Sequence, residues 1–444
     1  MRLRARAATR VLLFCAVAQA LASCGGGGGG GGGDSPTPAE PQAPAATWER
    51  QEVGRVAVKG LTTPWVRSAP SPDGTVHLAF FEDAAGAVAT YAIRHLLWDP
   101  DAIPPAALES ETVLPGLDNC SGLGLAVDAS GQPGVAYQGG AQRACGAERQ
   151  SDAMLSIGDS AGWAERTAAI GGVDRNPVFR DGLAGADVAV AADSQGRFHV
   201  VYQFHYEGCD AMNFRYADLR YVVVDPADAA APSEETVEGN DYVSQNRQNA
   251  VGENAAIAVD DADAPVVFYY ATLEDGSRGL RVARKAGGVW AAQWVERDCE
   301  IGDISAARSP EGGVAVAYQV LRYTDGRDDD HLLRFARETG TGGAWAAQTV
   351  DDGSRCGGEC SLAFTPGGQP MIAYHDLETH TGYARKDLRL ARFDGTAWAR
   401  ETVSSAGDIG HFNNLWADGQ GRAVICTYAP AERAVYLFRK TLSP

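Results

Sequence analysis

Positive charge is scarce in this chain: 38 Lys and Arg stand against 57 Asp and Glu, a net charge of −19. That balance excludes a nucleic-acid binder, whose affinity rests on cations meeting phosphates, and it disfavours anionic membrane surfaces. Helical periodicity is absent throughout, which excludes an α-solenoid. The apolar run Val11–Leu21 is too short to span a bilayer. No phosphate-cradling glycine loop ahead of a helix and no nucleophile motif occurs; the glycine tract Gly25–Gly33 leads into a Pro/Ala-rich stretch instead. Cysteine is sparse, nine in 444 residues, and two of the nine (Cys15 and Cys24) lie in the N-terminal segment.

That segment carries Arg2, Arg4, Arg6 and Arg10 ahead of the short apolar run, the layout of an export signal. The run ends Leu21-Ala22-Ser23-Cys24-Gly25, which resembles the lipobox of bacterial lipoproteins. The resemblance implies a signal peptide over residues 1–23, lipidation of Cys24 and, with Gly rather than Asp after the Cys, sorting to the outer membrane of a Gram-negative cell. Residues 24–46 are too rich in Gly, Pro and Ala to build a core and read as a flexible tether, leaving residues 47–444 as the folded domain.

Within that domain two series of segments alternate. Seven six-residue segments end in an apolar residue, usually Val, and often begin with Trp: Trp48–Val53, Leu108–Val113, Trp163–Ala168, Pro232–Val237, Trp290–Val295, Trp345–Val350 and Trp398–Val403. Seven hairpins form the other series, each an apolar run, a tight polar turn and a second apolar run, as in Gly122–Gln138, Asp187–Gln203 and Ala255–Tyr270. Six residues after the turn stand Phe80, Tyr137, Tyr202, Tyr269, Tyr318, Tyr374 and Thr427. A further apolar run follows, opened by Ile93-Arg94, Leu219-Arg220, Leu280-Arg281, Leu333-Arg334 or Leu388-Arg389, with weaker versions at Met154–Ile157 and Val435–Phe438. Seven sets of four short antiparallel strands predict an all-β, seven-bladed β-propeller. The first Trp segment precedes the first hairpin and none follows the last, so strand 48–53 is expected to join the last blade and close the ring. The Arg that recurs in five third strands reads as structural pairing between blades, because a catalytic group is needed once.

The hairpins Asp128–Tyr137 and Asp193–Tyr202 resemble those of sialidase-like and related seven-bladed propellers of secreted bacterial proteins, over residues from about 48 to 440. The likeness implies fold only. The Ser-x-Asp-x-Gly-x-Thr-Trp boxes of sialidases are absent, and Arg67-Ser68-Ala69 only loosely occupies the place of their first catalytic Arg. With strands a to d alternating in direction, the variable b–c and d–a connections share one face, where binding residues are expected. Cys120, Cys299, Cys356 and Cys360 fall in d–a connections and Cys145 and Cys209 in b–c connections. In an oxidising compartment this predicts Cys120–Cys145 and Cys356–Cys360 disulfides, with Cys209–Cys299 left by elimination. Cys426 reads as a buried free thiol within a strand.

The expected contacts on that face are Asn176, Phe179, Arg180, His205, Tyr206, Tyr242, Asn246 and Arg247, a mixture of aromatic surface and donors suited to a polar or glycan-like ligand. His205, Tyr206, His375 and His411 are candidates for the proton abstraction of a polysaccharide lyase. No cofactor or metal is called for. The acidic run Asp325–His331 offers carboxylates to Ca²⁺ but lacks the alternating pattern of a Ca²⁺ loop and reads as a solvated loop. The expectation is a monomeric, lipid-anchored, extracytoplasmic scaffold that binds a protein or glycan without catalysis. The alternative is a carbohydrate-active enzyme, lyase or hydrolase, with its site at the channel mouth. Cys24→Ala is expected to move the protein from the membrane to the soluble fraction on cell fractionation; unchanged fractionation refutes lipidation.

Overall fold

One repeated turn sets the register of the whole domain. In a computed structural model, Ser71–Gly74, Asp128–Gly131, Asp193–Gly196, Asp260–Asp263, Ser309–Gly312, Thr365–Gly368 and Asp418–Gly421 share a pair of backbone hydrogen bonds. The N–H of the fourth residue donates to the carbonyl of the first, and the N–H of the first donates to the carbonyl of the residue after the turn. The fourth residue has φ between 57° and 96°, the region that favours glycine, and Gly fills it in six of the seven. Where the first residue is Asp, its Oδ1 accepts the N–H groups of the third and fifth residues, as at Asp128, Asp193, Asp260 and Asp418.

The structure describes residues 47–56, 65–83, 91–101, 110–117, 122–139, 152–159, 162–169, 181–207, 217–228, 232–239, 250–324, 327–339, 343–353, 355–376 and 386–442. Among them no helix occurs. Strand β1 (Glu49–Arg55) comes first. Four sheets' worth of strands follow: β2–β5 (Val66–Pro70, Val76–Asp83, Tyr91–Trp98, Glu111–Leu117), β6–β9 (Leu123–Val127, Pro133–Gly139, Asp152–Asp159, Gly162–Ala169), β10–β13 (Asp181–Ala192, Phe198–Glu207, Ala217–Val224, Glu234–Glu238) and β14–β17 (Ala250–Val259, Pro265–Thr272, Arg278–Ala286, Val289–Arg297). Then come β18–β21 (Glu300–Arg308, Val314–Thr324, Arg327–Thr339, Ala344–Asp351), β22–β25 (Gly358–Phe364, Pro370–Asp376, Asp387–Phe393, Trp398–Ser404) and β26–β28 (His411–Ala417, Arg422–Ala429, Ala434–Thr441). They make four-stranded antiparallel sheets, except that β10–β13 and β14–β17 are joined into one sheet by a single parallel bridge, Ala217 to Ala250. Strand β1 pairs with β28 from Glu49–Arg439 to Arg55–Ala434, as its position ahead of the first hairpin predicted.

Neighbouring first strands pack in chain order, β2 on β6, β6 on β10 and so on to β22 on β26, and β26 also packs on β2. A cluster of buried apolar side chains separates each pair of successive units. The one holding Val53, Phe80, Trp98, Phe412, Val424 and Leu437 lies between the last unit and the first. Four of the recurring Trp residues of the fourth strands cap these clusters edge-on or tilted. Trp163 meets His95, Trp290 meets Tyr221, Trp345 meets Phe268 and Trp398 meets Phe335, with ring centroids 4.9–5.4 Å apart and the ring of the preceding unit as partner each time.

The residue six places after the turn is buried in every unit, and its hydroxyl explains the recurring Arg. Tyr269 donates to Glu238 Oε2 at 2.5 Å, Tyr318 to Glu296 and Tyr374 to Asp351 Oδ2 at 2.5 Å. In each case the carboxylate comes from the end of the preceding unit's fourth strand. The Arg of the third strand completes the link. Arg281 makes two 2.8 Å hydrogen bonds to Glu238, Arg334 lies 3.3 Å from Glu296, and Arg389 lies 3.5 Å from Asp351. These three Arg therefore pair between units, as the repetition implied. Arg94 and Arg220 instead pair within their own sheets, with Glu82 and Glu234, and Tyr202 also turns to Glu234. The preceding fourth strand ends there in Ala168 and Ala169, which cannot supply a carboxylate.

Other expectations are corrected by strand length. Two of the variable b–c connections are shorter than a loop reading implies: β11 runs to Glu207, and β19 and β20 continue the ladder to Thr324–Arg327. The acidic run is thus largely the start of β20. The expected Cys356–Cys360 disulfide is not formed. Both are free thiols, as is Cys299, and they point to different acceptors: Cys356 Sγ to the carbonyls of His331 and Asp351, Cys360 Sγ to those of Asp303 and Ala317. Cys360 lies in β22, so its side chain enters the space between two sheets while Cys356 stays in the connection. Cys426 is a buried free thiol in β27, as expected. Cys24, Cys120, Cys145 and Cys209 lie outside the described residues.

Arg281→Ala is expected to lower the unfolding free energy by about 2–4 kcal/mol in urea titrations, because it strands the Glu238 carboxylate between units. Arg308→Ala, which breaks a surface pair with Asp261, serves as the control and is expected to change little.

Candidate functional site

The first strands do not run straight into their sheets. β10, β14, β18, β22 and β26 each shift register near their start, between Ala186 and Ala189, Glu253 and Ala256, Ile301 and Ile304, Gly358 and Ser361, and His411 and Asn414. At four of these bulges a residue other than Gly holds the left-handed conformation: Asp187 (φ 47°), Asn254 (53°), Glu359 (51°) and Phe412 (52°). Such conformations cost free energy and persist only where the surroundings impose them. Here the surroundings are neighbouring first strands, tied by hydrogen bonds across the unit boundaries. The Glu359 N–H donates to Asp303 Oδ2 at 2.8 Å, Leu362 N–H to Ser305 Oγ at 2.9 Å, Asn413 Nδ2 to the Glu359 carbonyl at 3.0 Å and Leu415 N–H to Ser361 Oγ at 2.9 Å.

This stitched rim gathers carboxylates. Glu253 on β14 is exposed to solvent, with protein packed around it. Enclosure, then the charges of Asp187 and Glu300, raise its carboxyl to about 7. Arg67 on β2 is likewise enclosed, which lowers its guanidinium from its usual value, while the charges of Glu359 and Asp303 act the other way. Its guanidinium carbon lies 5.0 Å from the Trp65 ring centre and 5.7 Å from that of Phe412. A carboxyl that exchanges its proton near neutrality, under the charges of two further carboxylates, is equipped for general acid–base work on a neutral bond.

A second cluster lies at the end of β23 and the start of β26. His411 Nε2 is 3.0 Å from Asp408 Oδ1, and Lys386 Nζ donates to Asp408 Oδ2 at 2.5 Å. Although burial opposes it, these two partners hold the Asp408 carboxyl at about 2. His375 stacks on His411 with ring centres 4.5 Å apart and is lowered to about 3 by burial and by that neighbour. Two further histidine groups, His77–His95–Glu111 and Asp193–His199–Tyr221, belong to the turn ends of their hairpins and each lies within a single sheet; their histidines are buried, while Glu111 is exposed.

Of the residues expected to form the site, Asn176, Phe179, Arg180, Tyr242, Asn246 and Arg247 lie outside the described residues. His205 and Tyr206 lie on β11, paired in the backbone ladder with Leu183 and Gly182 rather than on a loop. His375 and His411 do come together. Sequence reasoning missed Asp187, Glu253, Asp303, Glu359, Lys386 and Asp408. A signal was there: the position six residues before each turn reads Trp65, Gly122, Asp187, Asn254, Asp303, Glu359 and Phe412, polar or aromatic where an inner strand is otherwise apolar.

No protein-family model matches this chain, and no curated protein sequence matches it. Among solved structures, a fungal alcohol oxidase of the AA5 family in complex with copper is similar, with a TM-score of 0.51 at 10% identity over 89% of this chain and 76% of that one. The chain has the β-propeller fold. An alpha-L-arabinofuranosidase of Fusarium graminearum gives a TM-score of 0.48 at 10% identity over 89% and 96% of the two chains. A Hadza microbial sialidase gives 0.47 at 12% over 80% and 74%. The expectation of a non-catalytic scaffold is corrected: the solved structures that this fold resembles are enzymes.

The raised Glu253 carboxyl has a consequence for stability. The folded chain holds this proton more tightly than the unfolded chain, whose carboxyl titrates near 4.5. Stability contributed at Glu253 is therefore full below about pH 4.5 and is lost as pH rises through about 7. Thermal unfolding across pH 4–8 is expected to show this decline in the wild type and a flatter profile in Glu253→Gln.

Proposed function

We propose that this chain is a glycoside hydrolase acting at the rim of its first strands. The observation that carries the reading is the Glu253 carboxyl. It is reached by water, yet it stays partly protonated at neutral pH, as the proton donor to a leaving glycosidic oxygen must be. Asp187 and Glu300, whose charges act on it, supply the second carboxylate that such chemistry needs, and Arg67 supplies a cation across the rim. The printed activities of the sialidase and arabinofuranosidase neighbours agree with a carbohydrate substrate.

We infer further that the strands form seven blades closed into a ring by β1. Packing of β26 on β2, the apolar cluster between last and first units, and the β1–β28 ladder all support closure. A lipid at Cys24 and the tether 24–46 place a monomeric hydrolase outside the cytoplasm at the outer membrane, with a glycan as partner. These parts of the proposal rest on the sequence alone.

Neutral and acidic polysaccharides, supplied to the purified protein, test the activity through release of reducing ends. Turnover is expected to fall on an alkaline limb near pH 7, and Glu253→Gln is expected to lower kcat by about 10²–10⁴-fold while leaving the fold intact by circular dichroism. A Glu253→Gln protein that turns over the wild-type substrate at the wild-type rate sinks the proposal.

A further inference from the structure

The cluster at the end of β23 contains a polar atom that its own neighbours do not satisfy. His375 is 4% exposed, and its Nε2 has no hydrogen-bond partner. That atom faces Asp408 Oδ1 at 3.8 Å, the same oxygen that His411 Nε2 approaches to 3.0 Å. One nitrogen of each histidine and one carboxylate oxygen thus lie within 4.8 Å of one another. Leaving a buried ring nitrogen unpaired costs about 1–3 kcal/mol, and nothing in the packing of this corner recovers that cost.

The corner is also built to be rigid. His375 ends β23, His411 begins β26, and Asp408 lies in the connection ahead of it, pinned to Lys386 by an isolated parallel bridge. Lys386 Nζ occupies Asp408 Oδ2, which leaves Oδ1 turned toward the two imidazoles. Gly410 has φ 109°, and a Cβ there would come 3.2 Å from His375 Cδ2, so the glycine lets the chain pass close over the ring. Asp408 and His411 keep 22% and 15% of their side-chain exposure, which gives an ion a way in.

We propose that His375, Asp408 and His411 bind one divalent transition-metal ion of the zinc class. Two imidazoles and one carboxylate are the donors such an ion takes in a four-coordinate site with one position left for water. Ca²⁺ and Mg²⁺ prefer oxygen throughout. The ion gives His375 Nε2 the partner it lacks and replaces the hydrogen bond between His411 and Asp408. The site shares no residue with Glu253 or the acids acting on it, and it stands whether or not the rim hydrolyses glycans.

The test strips the full chain, purified in detergent, with a chelator and titrates it with Zn²⁺ by calorimetry and with Co²⁺ by visible absorption. One equivalent per chain is expected, together with a raised thermal midpoint and the intense d–d bands of low-coordinate Co²⁺. His411→Ala and Asp408→Asn are each expected to weaken Zn²⁺ binding by at least about 100-fold, above the effect of outer-shell changes. Lys386→Met and Glu253→Gln are expected to keep the stoichiometry, which separates failure of this site from failure of the hydrolase proposal. The inference is overturned if the stripped wild type takes up no Zn²⁺ or Co²⁺, if affinity is unchanged in both ligand variants, or if a cobalt–thiolate charge-transfer band puts the ion on cysteine.

Discussion

Three successive junctions of this domain are made through a buried hydroxyl, a carboxylate and a guanidinium, and much of the structure depends on that link. Apolar clusters between sheets are adhesive but not directional, and they leave the angle between two twisted sheets loosely set. Tyr269, Tyr318 and Tyr374 remove that freedom, because each phenol must find its acceptor at one point on the preceding unit's outer strand. Burial together with the adjoining carboxylate raises these phenols well above their usual values, so they remain donors at any physiological pH. The carboxylate in turn is tolerable between sheets only because an Arg of the third strand neutralises it. None of the three groups is stable there without the other two.

Holding the sheets at a fixed angle is what brings the first strands close enough to share hydrogen bonds. The bulges at Asp187, Asn254, Glu359 and Phe412 sit where those strands converge, and the cross-strand bonds to Asp303, Ser305 and Ser361 hold the ones at Glu359 and Phe412. A bulge redirects a side chain that would otherwise alternate into the core. In this way an inner strand, apolar along most of its length, presents Asp or Glu to solvent at its entrance. The raised carboxyl of Glu253 follows from the protein packed around it and from the charges of Asp187 and Glu300 on the neighbouring first strands.

The hairpins, the outer Trp strands and the pairing of β1 with β28 were legible in the sequence because each depends on local chemistry: Asp or Gly at fixed turn positions, period-two alternation and Trp at a constant offset. The pairing role of Arg281, Arg334 and Arg389 was legible from repetition. What could not be read was any contact between units that no repeat announces. Glu253 is unremarkable until β10 and β18 are placed on either side of it, and Asp408 gains a role only beside a histidine 33 positions earlier. Cys356 and Cys360 looked like a bridge because four positions separate them. That spacing says nothing of direction, and a strand beginning at Gly358 turns the two side chains apart. His205 and Tyr206 were assigned to a loop because the apolar pattern fades after Tyr202, yet the ladder with β10 continues on backbone hydrogen bonds that no pattern records.

Charge then narrows the chemistry of the proposed hydrolase. Lyases that break glycans by proton abstraction work on sugars bearing an acidic group, whose carboxylate must be neutralised for the ring proton to leave. The rim of the first strands presents Asp187, Glu253, Glu300, Asp303 and Glu359 with Arg67 as the cation acting among them, on a chain whose net charge is −19. A polyanion meets repulsion both on approach and at the rim. A neutral glycan meets neither, and its hydroxyls are natural donors to the carboxylates that do not carry the proton. Arg67 fits the same picture: held against the rings of Trp65 and Phe412 and under the charges of Glu359 and Asp303, it is already engaged by this chain's own carboxylates.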